Sequence, residues 1–187
     1  MDGHEGQAAG GFRHLDDHEI ADLARLRVVR SRFVGPDGAE FERDVVRNQQ
    51  VVAMVPLLDD GETVLLVRQY RGPVDRSLLE IPAGLCDVEG EPVEETAARE
   101  LVEEVGRVAG NLELVGRIHS SPGFSDQTVN LFLATDLTEV ADSRQGIEEE
   151  HMTVHEVPLA DVPAMVADGR LTDAKTVAAL LLVSARR

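Results

Sequence analysis

The stretch GLCDVEGEPVEETAARELVEEVG, residues 84–106, is where the hydrophobic period of this chain changes. The runs before it alternate as strands do. From Pro92 to Val105 apolar side chains return every fourth position, at Val93, Ala97, Leu101 and Val105. That return predicts a helix with one buried stripe. Pro92 suits its first turn, Glu94 and Glu95 suit the positive end of its dipole, and Gly106 suits its C-terminal stop.

The same helix carries Glu100, Glu103 and Glu104. At 100° per residue these carboxylates span an arc of about 100° at the edge of the apolar stripe. Like charges so spaced repel by a few tenths of a kcal/mol per pair. Either water absorbs that cost or a cation removes it. Arg99 lies four residues before Glu103 and four after Glu95, so it can pair with either. Clustered oxygen donors of this kind select Mg²⁺ or Mn²⁺, and a solvated acidic face carries the same spacing.

Working outward, Pro36-Asp37-Gly38 is a turn between two extended runs, which predicts a hairpin. QQVVAMVPLL and ETVLLVRQY read as strands joined across DDGE, and SLLEIPAG as a short extended run. After the helix, LELVGRIHS, TVNLFLATDL and HMTVHEVPL are strand-like; LADVPAMVADG and DAKTVAALLLVSARR read as closing helices. The order points to an α/β (α+β) sandwich. Residues 1–13 are Gly-rich and are expected to be a flexible segment, with a single domain over 14–187.

A chain of 187 residues with 43% hydrophobic residues can bury one core. With 3% aromatics and no Trp, that core must be aliphatic. The net charge of −17 argues against nonspecific binding to nucleic acid or an anionic membrane, and an anionic ligand would require local cations. The lone Cys86 allows no internal disulfide. No apolar run reaches membrane-spanning length and MDGHEGQAAGG lacks signal-peptide regions, so the expectation is a soluble cytoplasmic protein. The six histidines show no metal-ligand spacing; His151 and His155 fall in a strand-like run that separates them.

Residues 84–106 also resemble the Nudix box: Gly84, Glu91, Arg99, Glu100, Glu103, Glu104 and Gly106 stand where that pattern has its fixed residues. Six residues rather than five separate Gly84 from Glu91, and Arg107 replaces an aliphatic residue; the insertion precedes the helix and leaves the helical positions in register. VRQYR followed by LLEIPAG, Pro122 sixteen residues beyond Gly106, and the acidic GIEEEHMTV resemble the ADP-ribose pyrophosphatase branch. The resemblance covers roughly residues 25–183.

It implies a Nudix-type α/β/α sandwich with a mixed sheet, preceded by N-terminal antiparallel strands. It also implies hydrolysis of a nucleoside diphosphate sugar, ADP-ribose above all, to AMP and a sugar phosphate. Glu100, Glu103, Glu104 and the backbone carbonyl of Ala83 would hold Mg²⁺ (or Mn²⁺), with Glu150 a further ligand. Arg99 would orient the glutamates, and Glu149, with Glu148 the alternative, would be the base. Arg43, Arg71, Leu85, Ser121, Pro122 and Gly123 would contact substrate, while Glu80 would order the box loop. In this branch the N-terminal strands, here about 25–47, reach across a homodimer and carry aromatic residues that stack on adenine; this chain has Phe33 and Phe41 there. Another nucleoside diphosphate derivative or an oxidised nucleotide is the alternative substrate. A non-catalytic nucleotide-sugar-binding module would be expected to lose the box carboxylates, and all three are present.

Overall fold

A computed structural model describes residues 9–141 and 151–186 of the chain. It divides into two compact units, one formed by residues 1–49 and 121–127, the other by 50–120 and 128–187.

In the first unit, β1 (Arg13–Asp22), β2 (Arg27–Val34) and β3 (Glu40–Arg47) form an antiparallel sheet in that order. The hairpin expected at Pro36-Asp37-Gly38 is present: Gly35 N–H donates to the Ala39 carbonyl, and Ala39 N–H to the Asp37 carboxylate. Its register sets Phe33 opposite Phe41, and the two rings stack with centroids 5.3 Å apart. Strand β1 is a finding that periodicity did not supply. Its side chains are nearly all exposed, so it has no apolar alternation to read. Charge pairing binds it instead: Arg32 to Asp16, and Arg47 to Asp17 with the buried Ser31 hydroxyl donating to the same carboxylate. Segment 121–127 joins this unit through Val46 N–H to the Phe124 carbonyl and Asn48 to Ser125 and Asp126.

The second unit holds sheets between helices, as the residue order implied, and one of them is mixed, as the resemblance implied. Strands β4 (Val51–Pro56), β7 (Ala83–Leu85), β8 (Arg107–His119) and β9 (Thr128–Glu139) run in the order β7-β4-β9-β8, with β4 and β9 parallel and the other pairs antiparallel. A second sheet orders β10 (Thr153–Pro158), β5 (Thr63–Arg71) and β6 (Arg76–Glu80) as β10-β5-β6, all antiparallel. Strands β4 and β5 are consecutive yet lie in different sheets, with an isolated bridge between Leu57 and Val64 beside the turn.

Alternation along β4 shows why the chain folds in layers. Ala53 and Val55 join a core with Ala179, Leu180 and Val183, whereas Val52 and Met54 join a core with Ala97, Leu101 and Val105. The first group packs beneath α2 (Val162–Ala167) and α3 (Ala174–Ala185), and the second beneath α1 (Val93–Val105). A strand covered on both faces must be apolar throughout, as VVAMVP is. Helix α1 matches its expected span, with Pro92 one place earlier than expected, at the N-cap. Gly106 closes it at φ 61°, a left-handed conformation that glycine adopts without steric cost, and its N–H reaches the Leu101 and Val102 carbonyls. No helix among the described residues is long and apolar enough to cross a membrane.

Candidate active site

The site is built from one edge of α1 and the chain from Glu80 to Leu85. Strand β7 is pinned by pairing with β4, and Met54 N–H donates to the Pro82 carbonyl. Against this backbone α1 presses closely. A Cβ added at Gly84 would lie 2.0 Å from Glu100 Cδ and 2.3 Å from its Oε1. Only a glycine leaves room for the Glu100 carboxylate there.

Arg99 gathers the carboxylates. Its guanidinium donates to Glu100 at 2.8 Å, to Glu103 at 3.2 Å, and through two nitrogens to Glu91 at 3.3 and 3.4 Å. Of the two partners that helical spacing offered Arg99, the structure selects Glu103, and Glu95 is exposed. The Glu91 carboxyl is held below the usual range by the Arg99 hydrogen bonds and then by the Thr96 hydroxyl. These bonds raise the guanidinium of Arg99, Glu91 contributing most. Glu104 is almost fully buried and turns the other way, accepting the Ala83 N–H at 3.0 Å.

Three carboxylates thus accept hydrogen bonds from one guanidinium, and the Glu100 and Glu103 side chains are only 13% and 17% exposed. So much negative charge withheld from water suits a divalent cation with oxygen donors. Among the described residues no three acidic, His or Cys side chains converge on one point in this arrangement, because Arg99 draws Glu100 and Glu103 while Glu104 faces Ala83. Glu148, Glu149 and Glu150 lie outside the described residues.

Arg71 lies at the end of β5 and forms a two-pronged pair with Glu80 at 2.8 and 2.9 Å. Burial pushes the Glu80 carboxyl upward, but Arg71 and Lys175 outweigh it and hold it below the usual range. The neighbouring Ile81 N–H donates to the buried Thr176 hydroxyl. Glu80 therefore ties the start of the box loop to the N-terminus of α3. Leu85 is half-buried at the end of β7.

In the other unit, Arg43 lies over the Phe41 ring, 4.9 Å from its centroid, and donates to the Glu42 carbonyl. Ser121 accepts the Phe124 and Ser125 N–H groups through its carbonyl, leaving Pro122 and Gly123 exposed at the turn. Lys175 and Thr176 were missed at the level of sequence. Asp173 before an apolar run is a legible N-cap, and it accepts the Thr176 N–H as such. Nothing in the local pattern links it to Glu80, 95 residues before Lys175.

The family model described as the NUDIX domain matches residues 47–180. An ADP-ribose pyrophosphatase of Mycobacterium tuberculosis is 41% identical over 174 residues, covering 93% of this chain and 84% of its own. An ADP-ribose pyrophosphatase of Bacillus subtilis is 38% identical over 145 residues, covering 78% and 77%. The crystal structure of an ADP compounds hydrolase superposes with a TM-score of 0.81 at 28% identity, covering 94% of this chain and 93% of that one.

Proposed function

This chain belongs to the Nudix family, and from that premise we propose that it is a Mg²⁺-dependent pyrophosphohydrolase cleaving ADP-ribose to AMP and ribose 5-phosphate. The observation that carries this reading is the gathering of Glu91, Glu100 and Glu103 around Arg99, with Glu100 seated against Gly84. The two relatives named ADP-ribose pyrophosphatase support the choice of substrate.

Glu100, Glu103, Glu104 and the Ala83 carbonyl are the proposed holders of the ion, with Glu150 added from outside the described residues. Mg²⁺ suits these oxygen donors, with Mn²⁺ the alternative. When bound, such an ion supplies neutralisation of the diphosphate and activation of water. Arg99 keeps Glu100 and Glu103 on one side of α1. Glu149, or Glu148 beside it, takes the proton of the attacking water in this reading. Arg71 spends Nε and one terminal nitrogen on Glu80, which fixes the plane of its guanidinium; its remaining nitrogen is the proposed phosphate contact. Substrate contact by Arg43, Leu85, Ser121, Pro122 and Gly123 belongs to the same proposal and is read from KM in single alanine variants (serine for Pro122 and Gly123). A cytoplasmic homodimer completes it, checked by the mass in solution.

The test is AMP release from ADP-ribose with Mg²⁺ or with a chelator. Glu104→Gln keeps an oxygen that can accept the Ala83 N–H, so it should fold, yet it should lose at least about 100-fold in kcat/KM. Release of AMP without any divalent metal would overturn the mechanism. ADP-ribose that binds without being cleaved would turn the chain into a sensor.

A further inference from the structure

A cavity of about 330 Å³ lies outside the site just described, at the edge of the β10-β5-β6 sheet. Arg68, Arg76, Ser77, Leu79, Arg170 and Thr172 are among its lining residues. Their arrangement follows from register. Arg68 on β5 pairs with Leu79 on β6, so their side chains leave the sheet on one face, and Ser77 lies two residues from Leu79 on that face. β6 is the edge strand, and the turn between α2 and α3 runs beside it: Arg76 donates to the Thr172 hydroxyl at 3.5 Å.

The charge balance is unusual for a chain with net charge −17. Arg170 is neutralised by a two-oxygen contact with Asp168. Neither Arg68 nor Arg76 has an acidic partner among the described residues, although both are exposed. Two guanidinium groups without an acidic partner among the described residues, a third that can exchange its partner, and two hydroxyls therefore line one opening above an apolar floor. Guanidinium forks match the oxygens of a phosphate, and hydroxyls supply the neutral donors such a site uses.

We propose that this cavity binds a phosphate dianion, free or on a small phosphomonoester, at a site separate from the α1 carboxylates. Arg68 and Arg76 supply the charge, Ser77 and Thr172 add hydrogen bonds, and Arg170 turns from Asp168 to the ligand. The site is independent of whether the protein hydrolyses ADP-ribose.

The experiment follows the side-chain Nε–H resonances of Arg68 and Arg76 in the ¹⁵N-labelled full chain. Inorganic phosphate and ribose 5-phosphate are titrated at constant ionic strength, with chloride as the control. Saturable shifts of both resonances are expected in the millimolar range or below, absent with chloride. Arg68→Ala/Arg76→Ala should weaken binding to the cavity, read at Arg170 Nε–H, by at least about tenfold. Arg13→Ala/Arg25→Ala removes the same charge from the other unit and should leave it unchanged. Stronger binding of the sugar phosphate makes the occupant a phosphomonoester; equal binding makes it the free ion. No saturation, or equal weakening by both double variants, would overturn the proposal by reducing the cavity to diffuse surface charge.

Discussion

Gly84→Ala separates two ways in which a glycine can matter. Gly84 has no positive φ, so alanine meets no backbone strain. The whole effect must come from the new Cβ, which would sit 2.0 Å from Glu100 Cδ. Strand β7 is tied to β4 at Val52, so the flexible carboxylate yields first. In moving it loses its 2.8 Å bond from Arg99, between side chains 31% and 13% exposed. A charge-assisted bond of that exposure is worth about 1.5 kcal/mol, and alanine returns about 0.5 kcal/mol by stiffening the unfolded chain. The expected net loss is about 1 kcal/mol in urea unfolding. Activity should suffer far more, because displacing a proposed ion ligand by about 1 Å costs on the order of 100-fold in kcat/KM. In a Glu100→Ala background the same substitution should cost no stability, since the clash is gone. ADP-ribose hydrolysis within about threefold of wild type would refute the argument that Glu100 must occupy the space above Gly84. A stability loss above about 3 kcal/mol would show instead that the strand gives way.

Three further outcomes are expected. Lys175→Met removes one of two cations from the buried Glu80 and should destabilise the fold by about 2 kcal/mol at pH 7, less than a wholly unpaired charge because Arg71 stays. The folded-state pKa of Glu80 is depressed, so its contribution is complete above the unfolded value of 4.5 and is lost as pH falls through the folded value; the gap between variant and wild type in urea midpoints should close over that acidic window. Thr176→Val keeps shape but strips the Ile81 N–H of its acceptor in a buried position, and calorimetry should register a loss of about 2 kcal/mol. Asp17, held at about 2 by Ser31, His14 and Arg47 against the opposing pull of burial, loses its contribution as pH falls from 3.8 toward 2. Discounted for solvent screening, Asp17→Asn should cost about 1 kcal/mol at neutral pH and nothing below that window, as measured by urea unfolding.

The sequence by itself determined helix α1, its glycine stop and the edge on which Glu100, Glu103 and Glu104 stand. These are local matters: a four-residue apolar return and the rotation per residue settle them without knowledge of the rest of the chain. The order of its strand-like and helix-like runs also pointed to the layered sandwich, and the structure shows VVAMVP, apolar on both faces, as the strand covered on each side. Strand β1 escaped such reading, since cross-strand ion pairs rather than an apolar face hold it. Tertiary structure alone decided that Arg99 takes Glu103 and Glu91 and leaves Glu95, that Glu104 turns to Ala83, and that Glu80 is shared by Arg71 and Lys175. It alone gave the physical reason for Gly84, whose missing side chain is the space that Glu100 needs. The Ala83–Glu104, Gly84–Glu100 and Glu80–Lys175 contacts join residues distant in sequence across strand pairings and helix packing, and no periodicity within one segment records which distant group will arrive beside it.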